Sequence, residues 1–142
     1  MYDYRKLDYY NYENNNYNQP MFTKDEQPSS LYDPYTGFIS GNMFRSLYNG
    51  YKINPLDIKP KNEKESLKLY LDAMCFAAHD ISLYLDLYPN DKDMIELFNQ
   101  YRMDANKLKA EYQMKFGPIL TSSDALNKVP WAWDNEPWPW EN

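Results

Sequence analysis

Residues 62–118 read NEKESLKLYLDAMCFAAHDISLYLDLYPNDKDMIELFNQYRMDANKLKAEYQMKFGP, and the spacing of the apolar residues in this stretch decides the fold. Leu67, Leu71, Met74, Ala78, Ile81, Leu85 and Tyr88 follow one another at alternating steps of four and three. That is the period of a helix face held as a heptad-like seam, flanked here by Tyr70, Ala77 and Tyr84. Asn62 is a good N-cap, and Glu65 three residues later completes a capping-box pattern. Pro89 ends this first helix. Asp91 and Asp93 then place negative charge where the positive end of a second helix dipole favours it. The second seam is Met94, Phe98, Tyr101, Ala105, Leu108 and Tyr112, with Ile95, Leu97 and Phe116 beside it, and Gly117-Pro118 stops it. The predicted helices cover about residues 63–88 and 92–116, each roughly 38 Å long. A connector as short as Pro89-Asn90 forces them to fold back antiparallel.

Working outward, residues 37–61 carry a short apolar segment and a proline-containing connector. Met43, Phe44, Leu47 and Tyr48 would share one face of a turn or two of helix between Gly41 and Gly50. A piece that short is unstable alone and must dock on something. Lys52 to Pro60 reads as extended chain, because Pro55 and Pro60 restrict the residues before them.

Residues 1–36 form a low-complexity arm holding eight tyrosines among Asn and Gln, with neither helical nor strand period. Such tracts are flexible alone and adhesive towards one another. Tyr9, Tyr10, Tyr12 and Tyr17 are candidates for oxidative or enzymatic crosslinking, and the plain alternative is a solvated tail. At the other end, residues 118–142 form a Trp/Pro-rich tail with Trp131, Trp133, Trp138 and Trp140. Its prolines 130, 137 and 139 favour an extended, polyproline-like path. Exposing four tryptophans is costly, since each can bury roughly 150–250 Å². Two helices cover each other's apolar stripe on one side only. The tail is therefore expected either to wrap over its own hairpin or to clasp another molecule. The fold class is all-α: an antiparallel two-helix hairpin with a short N-terminal helical segment, an extended tail and a low-complexity arm.

Composition narrows the function. The 142 residues have a mean hydropathy of −0.87, yet 18% are aromatic, and 15 of those are tyrosine. Net charge is −6, with six acids and three bases in residues 1–36, eleven of each in 37–117, and four acids and one base in 118–142. No basic patch exists to neutralise phosphates, which argues against a nucleic-acid binder. No run approaches the roughly 20 apolar residues of a membrane helix, and no apolar leader follows Met1. The single cysteine, Cys75, precludes an internal disulfide, so the protein is expected to be made and used in a cytoplasm.

Catalytic and metal chemistry find little support. Cys75 and His79 lie one helical turn apart, with Asp72 and Asp86 on the same side. Cys/His dyads draw their members from separate elements. A metal needs three or four ligands, and no second Cys or His exists. Asn90-Asp91-Lys92-Asp93 lacks the glycine and the terminal glutamate of a calcium loop. Asp80, Asp86, Asp91, Asp93 and Glu96 read as helix-face and helix-start charges. The expectation is a non-enzymatic protein with no cofactor.

The run Ala77-Ala78-His79-Asp80-Ile81-Ser82-Leu83-Tyr84-Leu85-Asp86-Leu87-Tyr88-Pro89 resembles the core of the spore coat protein CotJB family. So do Phe98-Asn99-Gln100-Tyr101, the Tyr-x-x-x-Phe-Gly-Pro segment from Tyr112 to Pro118, and above all Trp131-Ala132-Trp133 with Pro137-Trp138-Pro139-Trp140-Glu141. The resemblance covers about residues 62–142. Upstream, Gly37 to Tyr48 is similar to the longer version in clostridial relatives and to a Gly-x-Leu-Phe-x-x-Leu-Tyr pattern in the companion CotJA. Residues 1–36 lie outside it.

The resemblance implies a structural coat component that is deposited from the mother-cell cytoplasm around a forespore. It also implies association with a CotJA-like companion, a CotJC-like manganese catalase and other coat proteins, with self-association. No catalytic residue carries over, and the metal would be the partner's. The expected partner-binding residues are Trp131, Trp133, Trp138, Trp140, Phe44, Leu47 and Tyr48. The alternative is a metal-binding accessory or maturation factor for the catalase, using acids near Asp72, His79 and Asp86.

Overall fold

The computed structural model describes residues 31–47, 50 and 55–135. Among them the chain is helical, with α1 at Pro34–Ser40, α2 at Glu63–Leu87 and α3 at Lys92–Phe116, followed by two 3-10 turns at Asp124–Leu126 and Ala132–Asn135. No strand appears among the described residues; the nearest feature is one isolated antiparallel bridge between Leu31 and Phe44.

Each long helix begins where its cap dictates. The Asn62 side chain accepts from the Glu65 amide at 2.8 Å, and its own amide donates to the Glu65 carboxylate at 3.0 Å. The second Glu65 oxygen accepts from the Lys61 amide at 2.8 Å, which widens the capping box by one residue. Asp91 caps α3 through the Met94 amide, and the Tyr84 hydroxyl donates to its other oxygen at 2.9 Å. The hairpin turn is thereby fastened to α2. At the open end the Lys115 ammonium reaches Glu63 at 2.7 Å and Glu111 at 2.9 Å. These acceptors, Glu63 first, raise its pKa.

The seam residues of the hairpin fall in or against the core, except Tyr88 at the end of the first seam, which is exposed. Leu67 and Ile81 are fully buried, Leu71, Met74, Ala78, Tyr101 and Leu108 nearly so, and Leu85, Phe98 and Tyr112 pack half-buried against them. Fully burying side chains of the Leu or Ile size contributes roughly 1.5–3 kcal/mol each.

The N-terminal helix stands upstream of the position expected for it. Between Gly41 and Gly50 the described residues form turns, and the helix is Pro34–Ser40 instead. Asp33 caps it by accepting from Thr36, Pro34 occupies the first turn where its missing amide costs nothing, and Gly41 ends it at φ 75°. Only glycine adopts that left-handed conformation freely. Tyr48 lies outside the described residues.

The cover for the hairpin also comes from the other end of the chain. Leu31 and Met43, both fully buried, join the core cluster of α2 and α3. Leu31 and the buried Pro34 fall within residues assigned to the arm on composition, so that boundary shifts to include them in the packed unit. From the tail side, Ile119 packs against the core. The reason is geometric. Phe38 meets Phe76 edge-on at 5.9 Å, and Gly37 lets Met43 approach so closely that a Cβ there would lie 2.3 Å from its sulfur. The Asp80 carboxylate then accepts from the Met43 amide at 2.7 Å. Arg45 holds the returning chain by donating to the Leu31 carbonyl at 2.6 Å, its guanidinium over the Tyr32 ring. The connector is pinned as well, because Tyr35 donates to Asp57 and accepts from the Ile58 amide.

Candidate functional site

The Cys75 cluster on α2 is helix surface. Cys75 has exposed surface, yet packing around its sulfur, and then the Asp72 charge, push the thiol pKa up. A thiol held protonated is a poor nucleophile. Asp72 is engaged by Lys68, one turn away on the same helix. His79 and Asp86 are exposed. Among the described residues no group of three or more His, Cys, Asp or Glu is arranged to hold a metal ion.

Among the large apolar side chains that the packing leaves exposed, two groups stand out. The first is the hairpin tip. Phe44 stacks on Tyr84 at 5.3 Å, and Tyr84 lies 4.7 Å from Tyr88, forming a ladder of rings that leads from the core to the surface. The hydrogen bond to Asp91 raises the pKa of the Tyr84 hydroxyl, which keeps it a donor. Beyond the ladder, Leu83 is 51% exposed, Leu87 76% and Leu47 62%. Periodicity explains why. α1 and Met43 cover the Ala73–Asp80 stretch of that α2 face and stop, whereas the apolar spacing of α2 runs two further turns to Leu87.

The second is a groove of about 510 Å³ between the outer face of α3 and the chain that turns back after Pro118. Lys109 and Met114 line its helix wall, Leu120 and Lys128 the opposite one. Gln113 fixes that return by accepting from the Ile119 amide. Further on, Trp131 is 55% exposed, and Trp133 is half-buried within the second 3-10 turn, which packs on the first. The tail up to residue 135 is thus irregular rather than evenly extended, because Pro130 precedes the turn and the Trp131 carbonyl is free to accept from the Asp134 amide.

Of the residues expected to bind partners, Phe44 is an inner element of the tip ladder, Leu47 and Trp131 are exposed, and Trp133 is half-buried. Trp138 and Trp140, like Tyr9, Tyr10, Tyr12 and Tyr17, lie outside the described residues. Leu83 and Leu87 are not among the expected binding residues, yet both are exposed at the tip. Their signal was present in the sequence: neither belongs to the seam, yet both are large and apolar on the flank that α1 covers only in part.

A family model, that of the CotJB protein, matches residues 65–141. The chain belongs to the CotJB family. CotJB membership makes it a spore-coat-related protein, in a coat-associated family that is not known as one of enzymes. The match takes in α2 and α3 from Glu65 onward and nearly all of the tail; α1 and the segment carrying Met43, Phe44 and Leu47 lie upstream of it. No curated protein and no solved structure matches the chain. No helix among the described residues is long and apolar enough to cross a membrane.

Proposed function

We propose that this protein is a non-enzymatic structural component of the endospore coat. In this reading it acts in coat assembly and as an adaptor for a coat manganese catalase, with a CotJA-like companion. It would be made in the mother-cell cytoplasm and then deposited, binding its own copies as well as the CotJC-like catalase. The observation that carries the reading is the hairpin tip: Leu47, Leu83, Leu87 and Tyr88 stay exposed beside the packed core. A cluster of large apolar side chains rimmed by acids such as Asp86 fits a protein interface better than open water. Trp131, 55% exposed in the tail, adds an aromatic anchor.

The test is co-expression with the catalase and the companion, followed by light scattering on the purified material. The reading expects one heavier complex, diminished by Leu83→Glu with Leu87→Glu and by deletion of residues 129–142. If the protein runs as a monomer beside the catalase, the adaptor role is refuted. Specific Mn²⁺ uptake by the isolated protein would replace it with the metal-binding accessory.

A further inference from the structure

The two exposed apolar surfaces of the hairpin lie at its opposite ends, and they differ in charge. At the turn end, residues 83–96 carry Asp86, Asp91, Asp93 and Glu96 against Lys92 alone. Asp91 is engaged as the α3 cap and by the Tyr84 hydroxyl, while Asp86, Asp93 and Glu96 are exposed. At the open end, residues 56–68 and 107–116 hold seven lysines against four acids. The α3 groove belongs to that end. Lys109 and Lys128 line it with the acid Asp124, and its apolar lining includes Met114, 80% exposed, and Leu120, 45% exposed.

The two surfaces also match in spacing. Leu83 and Leu87 stand one turn apart on α2, about 6 Å, with Asp86 one residue before the second. Ala110 and Met114 line the groove at the same spacing on α3, with Lys109 one residue before the first. Rows of residues four apart on two helices interdigitate when the helices cross at about 50°. The small Ala110 leaves room for a leucine beside Met114. Each row thus carries one charge beside it, an acid on α2 and an ammonium on α3.

We propose that the tip of one copy docks in the α3 groove of a second copy, with Leu83 and Leu87 against Ala110 and Met114 and Asp86 against Lys109. This rests on the structural-component reading above and names the surfaces through which the protein binds its own copies. A chain cannot fill its own groove, because Asp91 and Met114 are separated by 23 helical rises, roughly 34 Å. Tip against tip is disfavoured, since it sets Asp86, Asp93 and Glu96 against the same acids of the other copy. The contact joins two different patches, so a pair still offers one open tip and one open groove, and assembly continues past the dimer. A copy whose tip is taken by another protein still accepts a neighbour in its groove.

The experiment measures the molar mass of the purified full-length protein by light scattering across the micromolar range. The expected mass rises with concentration beyond that of a dimer. Leu83→Glu with Leu87→Glu blocks the tip, Lys109→Glu with Met114→Glu blocks the groove, and each of these proteins alone should be a monomer. Mixed in equal amounts they should form a dimer and stop there, since only one intact tip and one intact groove remain to pair. Asp86→Lys and Lys109→Glu should each weaken assembly, and both in one chain should restore it; these exposed or half-buried single changes keep the test valid where a double variant fails to fold. Helical circular dichroism reports the fold of every variant. A parent that stays monomeric overturns the proposal, as does a folded groove-blocked protein that still assembles or a mixture that stays monomeric. Because the catalase is absent, a monomeric parent leaves the complex expected on co-expression standing, and the two failures are told apart.

Discussion

Removing the Asp80 carboxylate tests how the N-terminal segment is held to the hairpin. The carboxylate accepts from the Met43 amide at 2.7 Å, and Met43 is fully buried. Asp80→Ala therefore leaves a buried N–H without its acceptor, which costs about 1–3 kcal/mol. Asp80→Asn keeps an acceptor but loses the charge that roughly doubles the strength of such a bond, so about 1 kcal/mol is expected. With a urea dependence of about 1–2 kcal/mol per molar for a unit this small, a loss of ~2 kcal/mol lowers the unfolding midpoint by about 1–2 M. Amide exchange localises the effect. The same ~2 kcal/mol makes the Met43 amide exchange about thirtyfold faster, while amides in the middle of α3 follow only the global change. An Asp80→Ala protein within ~0.5 kcal/mol of the parent, its Met43 amide still protected, would refute the reasoning. The segment would then be held by Phe38, Met43 and Leu31 packing alone.

Two further outcomes are expected. Ile81→Ala, at a fully buried position, should cost about 2–5 kcal/mol, whereas Leu83→Ala two residues away, half exposed, should cost under ~1 kcal/mol; equal losses in denaturant titration would mean the tip is covered in solution. Asp104 has its pKa raised, chiefly by desolvation and against the pull of Lys107. Above its folded pKa the half-buried charge is unfavourable, and the penalty is relieved as pH falls through that value. Asp104→Asn should therefore melt higher than the parent at neutral pH, and the gap should close as pH falls through the raised folded pKa towards the ordinary carboxylate value. A gap that widens on acidification would reverse the sign and exclude desolvation as the cause.

The hairpin was legible because its determinants are local. Asn62 with Glu65, Asp91, and Gly117-Pro118 act within one turn of themselves, and the Leu67-to-Tyr88 and Met94-to-Tyr112 spacings need only helical geometry to be read. α1 was legible in principle through Asp33-Pro34 and Gly41. The apolar Met43-Phe44-x-x-Leu47 spacing drew attention downstream, since that pattern suits a helix face as well as it suits a returning chain paired with Leu31. The exposure of Leu83 and Leu87 is not legible in the sequence for a related reason. A flank residue is exposed or covered according to how far a neighbouring element extends, and α1 stops short of them.

By itself, then, the sequence determined two long helices, their ends, their antiparallel pairing and a tail with the CotJB family's tryptophans. Which segment covers the hairpin was decided only in three dimensions. The outcome depends on contacts between residues far apart in the chain, such as Gly37 admitting Met43, Asp80 holding its amide and Phe38 meeting Phe76. Periodicity records that a face is apolar. It carries no information on which of two distant segments will bury it, because that depends on shape and on hydrogen bonds that exist only once the chain has folded.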